Sequence, residues 1–81
     1  MEEDLLRRIA IDPRVMLGKP VVRGTRITVE ILLEKIAAGH TVDEVLGDYP
    51  TLSREDVLAA VAYAREAVGT DEIIPRLKMP E

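Results

Sequence analysis

Residues 28–69 contain three segments that each start with a helix-capping residue and continue with apolar residues at helical spacing, and this pattern constrains the fold most strongly. The first segment starts at Thr28, a favoured N-cap residue, and stops at Gly39. Its apolar residues form one stripe on the predicted helix: Val29, Leu32, Leu33 and Ile36.

The second and third segments both begin with a capping box. Thr41 is followed three residues later by Glu44, and Ser53 is followed at the same spacing by Asp56. The second helix ends at Pro50, and the third runs for about fifteen residues. Because only a short turn separates these two helices, the pattern predicts a helix-turn-helix arrangement.

The part of the chain before the helices favours extended structure. Residues 8–11 lead into the turn-forming pair Asp12-Pro13, and the β-branched pair Val21-Val22 lies between two glycines. The predicted fold class is therefore mainly α, a three-helix helix-turn-helix bundle with a short N-terminal β arm or hairpin. We expect this domain to span residues 1–69 and an extended C-terminal tail to span residues 70–81.

Length and composition limit the class of protein. A chain of 81 residues has room for one domain, and without cysteine it forms neither disulfides nor thiolate metal sites. A chain this small buries a modest share of its surface, which favours oligomerisation. With no signal peptide and no apolar run of transmembrane length, we expect a cytoplasmic protein that makes no membrane contact.

Charge is distributed unevenly along the chain. The net charge is −4, yet six basic residues face one acid between Leu5 and Thr28, and the balance reverses after Thr41. This asymmetry predicts a surface that approaches operator DNA mainly through its phosphates, although an ordinary solvated surface stays open as the alternative. The candidate DNA-binding residues are Arg23, Thr25, Arg26, Thr51, Ser53 and Arg54.

The third predicted helix is uncharged through its middle, residues 57–64. A helix that is apolar on every side is expected to be buried on every side, and two other helices cover only one face. The uncovered residues predict a homodimer interface formed by Leu58, Ala62 and Tyr63.

Residues that carry chemistry are scarce. The only histidine, His40, follows a helix C-terminus, where an imidazolium complements the helix dipole. The same dipole argument accounts for Asp43 and Glu44 near a helix start. We therefore predict no catalytic residue, no metal, no cofactor and no enzymatic activity.

The tail is apolar but interrupted by prolines. Its apolar residues predict a segment that binds a partner protein in extended form, with docking on the chain's own core as the open alternative. The predicted partner-binding residues are Ile73, Ile74, Leu77 and Met79.

The motif GKPVVRGTRITV at residues 18–29, followed by VLGDYP at 45–50, resembles the small prokaryotic family known as domain of unknown function 433. The resemblance covers roughly residues 8–68. It implies a homeodomain-like helix-turn-helix protein, similar in some members to VapB-type antitoxins encoded beside a PIN-like ribonuclease toxin. Its signature positions are Gly18, Pro20, Gly24, Thr25, Arg26, Asp48, Tyr49 and Pro50.

The resemblance makes an antitoxin-like protein the leading hypothesis. Such a protein binds a PIN-like toxin and, in one version, its own operator DNA. Two other hypotheses stay open, namely a stand-alone DNA-binding transcriptional regulator and a structural protein-interaction module that binds no DNA.

Overall fold

The structure, a computed structural model, describes residues 2–69. In chain order these form α1 (Glu2–Leu6), β1 (Ile9–Ala10), β2 (Val21–Val22), α2 (Val29–Ala37), α3 (Val42–Asp48) and α4 (Arg54–Gly69). The predicted fold class is confirmed, since the described chain is mainly helical and carries a short hairpin before the helices. The tail predicted for residues 70–81, with its four apolar partner-binding residues, lies outside the described residues.

All three predicted caps start a helix. The Thr28 hydroxyl accepts a hydrogen bond from the amide of Ile31 at 3.1 Å. Thr41 and Glu44 form both halves of a capping box, at 3.1 Å and 2.8 Å. Ser53 and Asp56 form the corresponding pair at 3.3 Å and 2.9 Å. These bonds satisfy amide groups that no residue within the helix can pair, so local sequence sets where each helix begins.

The two strands form the expected hairpin. They pair antiparallel, with Ile9 opposite Val22 and Ala10 opposite Val21. Arg23 donates its amide to the carbonyl of Arg8 at 2.7 Å, which continues the pairing beyond the strand. A bridge between Val21 and Thr28 joins the hairpin to the start of α2.

The core lies where the hairpin meets the helices. Leu32 of α2, Val45 of α3 and Val57 of α4 are fully buried. Both strands contribute to the same core through Ile9 and Val22. Alanines at 59 and 60 of α4 are also fully buried, and such small side chains let neighbouring elements approach the helix closely.

The N-terminal helix α1 was not predicted from the sequence. It packs along α4, Leu5 lies against the core, and Arg8 just after it forms a 3.1 Å ion pair with Asp56. Five residues make less than two helical turns, too short for a periodic pattern or for stability alone. Packing against α4 therefore stabilises α1.

The structure corrects one prediction about which residues of α4 are exposed. Ala62 is only 8% exposed within its own chain, so the prediction that it faces water is wrong. Tyr63 is half-buried and packs on the core, whereas Leu58 is 44% exposed. The sequence pattern did not include α1, so it underestimated how much of α4 this chain covers by itself. No helix within residues 2–69 has the length and apolar character needed to cross a bilayer.

Candidate protein-binding surface

The loop between the strands holds a left-handed turn. Met16, Leu17 and Gly18 have φ values of 49°, 59° and 84° in succession. Left-handed backbone costs a residue with a side chain about 1–2 kcal/mol, so two such residues in a row are unusual. Leu17 is 94% exposed and Met16 is 40% exposed. The strained turn thus displays apolar side chains to solvent.

The turn is held by short-range hydrogen bonds. The Asp12 carboxylate accepts bonds from the main-chain amide of Arg14 at 2.9 Å and from its guanidinium at 3.1 Å and 3.0 Å. These bonds, the side-chain one foremost, lower the pKa of Asp12 below its ordinary value. The amides of Val15 and Gly18 donate to the carbonyls of Asp12 and Val15, at 2.8 Å and 3.0 Å. The loop is therefore shaped by its own residues and leaves the Leu17 side chain uncovered.

A separate part of the surface forms an apolar groove. It has a volume of about 300 Å³ and lies between the start of α2 and the second half of α4. Pro20, only two residues beyond Gly18, forms one wall. Lys19 and Glu30 form a 3.0 Å ion pair beside it. The apolar lining consists of Pro20, Val29, Leu33, Tyr63, Ala64, Ala67 and Val68.

Two of the predicted DNA-binding residues hold the hairpin together. The guanidinium of Arg23 donates to the carbonyl of Arg7 at 2.7 Å and to that of Ile9 at 3.2 Å. The Thr25 hydroxyl donates to the carbonyl of Val22 at 2.8 Å and accepts from the amide of Ile27 at 3.0 Å. Both side chains therefore stabilise the turn after β2.

The predicted residues at the start of α4 are partly engaged as well. Arg54 forms a 2.9 Å ion pair with Asp43 of α3, and Ser53 caps α4. Arg26 and Thr51 are exposed and make no side-chain hydrogen bond or ion pair with any residue between 2 and 69. Arg23 lies in a cleft with Arg7 and Arg8, whereas Arg26 lines a separate groove on the hairpin. The predicted set is thus not one continuous basic patch.

Two signature positions of the resembled family connect α2 to α3. Lys35 donates to the carboxylate of Asp48 at 3.0 Å and lies 5.7 Å from the centre of the Tyr49 ring. The hydrogen bond to Asp48 raises the pKa of Lys35 above its usual value. These contacts give Asp48 and Tyr49 a role in helix packing. Across residues 2–69 the structure brings together no group of three or more potential metal ligands.

Sequence reasoning missed the displayed turn and the groove. The available signal was an apolar pair, Met16-Leu17, lying between the turn-forming Pro13 and Gly18. A groove formed by three separate segments leaves no comparable signal, because its residues lie far apart in the chain.

The described chain is thus a small helical protein whose N-terminal hairpin packs into the helical core. It belongs to the family described as Protein of unknown function (DUF433), whose model matches residues 9–64. The predicted family is confirmed by this match. The uncharacterized protein y4eO of Sinorhizobium fredii is 39% identical over 56 residues, which cover 69% of this chain and 25% of that protein. This chain therefore spans about a quarter of the length of that relative.

A crystal structure of a DUF433 member protein from Anabaena variabilis has the same fold. The TM-score is 0.72 at 35% sequence identity, and the alignment covers 91% of this chain and 70% of the other.

Proposed function

We propose that this chain is an antitoxin-like adaptor that acts by binding another protein. The proposed partner is a PIN-like ribonuclease, the class that the family resemblance implies. The proposed contact surface is the left-handed turn at Met16–Gly18 together with the apolar groove that Pro20 lines. The four apolar residues of the tail are proposed as a second contact with the same partner.

The observation that carries this proposal is the display of Leu17. Its side chain is 94% exposed and stands on a backbone that a leucine adopts only at a cost in free energy. Strained backbone is concentrated at binding and catalytic sites, and this chain has few residues suited to catalysis. An exposed apolar side chain and an apolar groove on one small protein suit contact with another protein, since a few well-packed residues contribute most of the binding energy at many interfaces.

Charge and hydrogen bonding favour a protein partner over DNA. Arg23 already donates to two main-chain carbonyls, and Arg54 is paired with an aspartate. Acidic side chains also lie exposed near the start of α4, with Asp43 and Glu44 on α3 and Glu55 on α4. Phosphate binding requires basic side chains that can replace counterions, and carboxylates here oppose it.

The test is to look for a PIN-like ribonuclease encoded beside this gene, to purify it and to titrate it with this chain. We expect a stable complex and loss of ribonuclease activity as the full-length chain is added. Leu17→Glu should weaken the complex by about thirtyfold or more, as expected for an anchor residue worth at least about 2 kcal/mol. Ala37→Glu, an exposed substitution at the end of α2, is the matched control and should leave binding unchanged.

Other outcomes would contradict this function. If no neighbouring gene encodes such a nuclease, or the nuclease does not bind, the antitoxin proposal is overturned. A mobility shift with the upstream DNA that disappears in Arg26→Ala but persists in Leu17→Glu would favour a DNA-binding regulator instead. Comparing the affinity of a chain truncated after Gly69 with that of the full-length chain would show how much of the binding energy comes from the turn and how much from the tail.

A further inference from the structure

A second groove, separate from the one that Pro20 lines, lies on the hairpin and has a volume of about 450 Å³. Ala10 and Val21 are paired across the two strands, so their side chains lie on one face of the hairpin, opposite to that of the buried Ile9. We call this groove the hairpin groove. Its lining includes Ala10, Asp12, Val15, Val21, Thr25 and Arg26.

The polar side chains of the hairpin groove differ in whether they already have partners. The Asp12 carboxylate accepts hydrogen bonds from the amide and the guanidinium of Arg14, which neutralises its charge. The Thr25 hydroxyl donates to one main-chain carbonyl and accepts from one main-chain amide. Arg26 is exposed, and its guanidinium makes no hydrogen bond or ion pair with any residue from 2 to 69. Within the described part of the chain, the hairpin groove therefore offers a ligand one free guanidinium.

A single free guanidinium fits a carboxylate. One arginine binds one carboxylate through two parallel N–H···O hydrogen bonds. Duplex DNA instead presents a negative charge about every 1.7 Å along its axis and is bound by several basic side chains together. An acidic side chain of a protein is therefore the better match for the hairpin groove, since its methylene groups can lie against the apolar residues Ala10 and Val15.

Charge along the chain also favours an acidic ligand. Residues 10–26 contain four basic residues and one acid, although the net charge of the whole chain is −4. A hairpin that is more basic than the rest of the chain attracts an acidic surface and orients it as the two proteins meet.

The loop that displays Leu17 also forms part of the hairpin groove. Val15 lines the groove, and its carbonyl accepts the amide of Gly18 at 3.0 Å. Leu17 lies two residues beyond Val15, so their α-carbons are at most about 7 Å apart. We infer that Arg26 binds the carboxylate of an aspartate or glutamate on the partner protein that contacts the Leu17 turn. This inference rests on the proposed function and names the chemistry that the partner presents.

The first test is a titration of the neighbouring PIN-like ribonuclease with the full-length chain and its variants at low and high salt. Arg26→Ala should weaken the complex by about tenfold or more, because hydrogen bonds to a charged group are lost. Arg26→Lys keeps the charge but not the paired geometry, so it should recover only part of the affinity. Added salt should weaken the Arg26→Ala complex less than the wild-type complex. Arg7→Ala removes an exposed arginine from a different cleft and should leave the affinity unchanged.

Double-mutant cycles then identify the carboxylate. Each exposed aspartate and glutamate of the nuclease is replaced by alanine and titrated with the wild-type chain and with Arg26→Ala. For one of them, the combined loss of affinity should be smaller than the two single losses taken together.

The outcomes separate this inference from the proposed function. If the wild-type chain does not bind the nuclease, the proposed function fails and the inference fails with it. If the wild-type chain binds and Arg26→Ala binds equally tightly, or if no acidic residue of the nuclease is coupled to Arg26, the inference alone is overturned. If Arg26→Ala abolishes a mobility shift with the upstream DNA and leaves nuclease binding unchanged, Arg26 binds phosphate and the inference is also overturned.

Discussion

The Nε atom of Arg23 donates a hydrogen bond to the main-chain carbonyl of Arg7, sixteen residues earlier in the chain, at 2.7 Å. The same guanidinium also reaches the carbonyl of Ile9 at 3.2 Å. The side chain of Arg23, which follows β2, thus binds the backbone between α1 and β1 and the backbone of β1 itself. Arg23 belongs to the basic segment for which the sequence suggested a nucleic-acid contact, but its hydrogen bonds stabilise the fold.

Replacing Arg23 by alanine should lower the free energy of unfolding by about 1–3 kcal/mol, because two hydrogen bonds to main-chain carbonyls are lost. Arg26→Ala removes the same type of side chain from a position with no partner among the described residues. We expect that change to stay within about 0.5 kcal/mol. Urea denaturation monitored by circular dichroism measures the free energy of unfolding of both variants. Equal effects for the two variants would contradict the role of Arg23 in the fold.

Thr41→Ala should destabilise the protein by about 1 kcal/mol, since the hydroxyl that caps α3 is lost. Thr51→Ala is the matched control, because Thr51 is exposed and makes no side-chain hydrogen bond within the described residues. Thermal melting of the two variants beside the wild type makes the comparison. Similar melting temperatures for Thr41→Ala and the wild type would show that the capping box contributes little.

Two leucines should respond very differently to replacement by alanine. Leu32 is fully buried, so Leu32→Ala removes buried methyl groups and leaves a cavity, at a cost of about 2–5 kcal/mol. Leu17 is 94% exposed, so Leu17→Ala should leave the free energy of unfolding almost unchanged. Chemical denaturation checks both. A large loss of stability in Leu17→Ala would mean that Leu17 packs within its own chain.

Leu17→Gly should stabilise the free protein by about 0.5–1 kcal/mol while weakening partner binding. Glycine adopts left-handed backbone without the cost that leucine bears, although it adds some freedom to the unfolded chain. The control is Glu34→Gly, at a right-handed position inside α2, which should lose about 1 kcal/mol. Denaturation curves give the free energy of unfolding of both variants. A Leu17→Gly variant less stable than the wild type would argue against strain in the turn.

The carboxyl group of Asp12 should titrate below the usual range for aspartate, and Arg14→Ala should bring its pKa back toward that range. Because the folded pKa lies below the unfolded one, the contribution of this group is fully present above the unfolded pKa. It is lost as the pH falls through the folded pKa. Carboxyl chemical shifts measured by NMR across acidic pH follow this titration. Arg7→Ala should not move it, and an Asp12 pKa unchanged in Arg14→Ala would refute the contact.

Much of the fold could be read from local sequence. The starts of α2, α3 and α4 followed from Thr28, Thr41 and Ser53, since each cap acts within three residues of its own position. The hairpin followed from turn-forming residues and a β-branched pair. These features act over a few residues, so they are visible in any local window of sequence.

The candidate site could be predicted less well. Basic residues in the sequence suggested a surface that binds DNA phosphates, but the charge of a side chain does not show whether that side chain already has a partner in the fold. Arg23 donates to a carbonyl far away in the chain, and Arg54 is paired with an aspartate on another helix. The exposure of Leu17 depends on a left-handed backbone that adjacent loop residues impose. The sequence pattern alone could show neither that these arginines are engaged nor that Leu17 is exposed.

The sequence by itself determined where α2, α3 and α4 begin, which residues form the hairpin and which family the chain belongs to, because caps, turns and motifs are short-range features. Only the tertiary structure decided that α1 packs on α4, that Ala62 is buried while Leu58 and Val61 stay exposed, and that Arg23 serves the hairpin. The physical reason is that burial and hydrogen-bond partnership depend on contacts between residues far apart in the chain, and these contacts exist only once the elements have packed together.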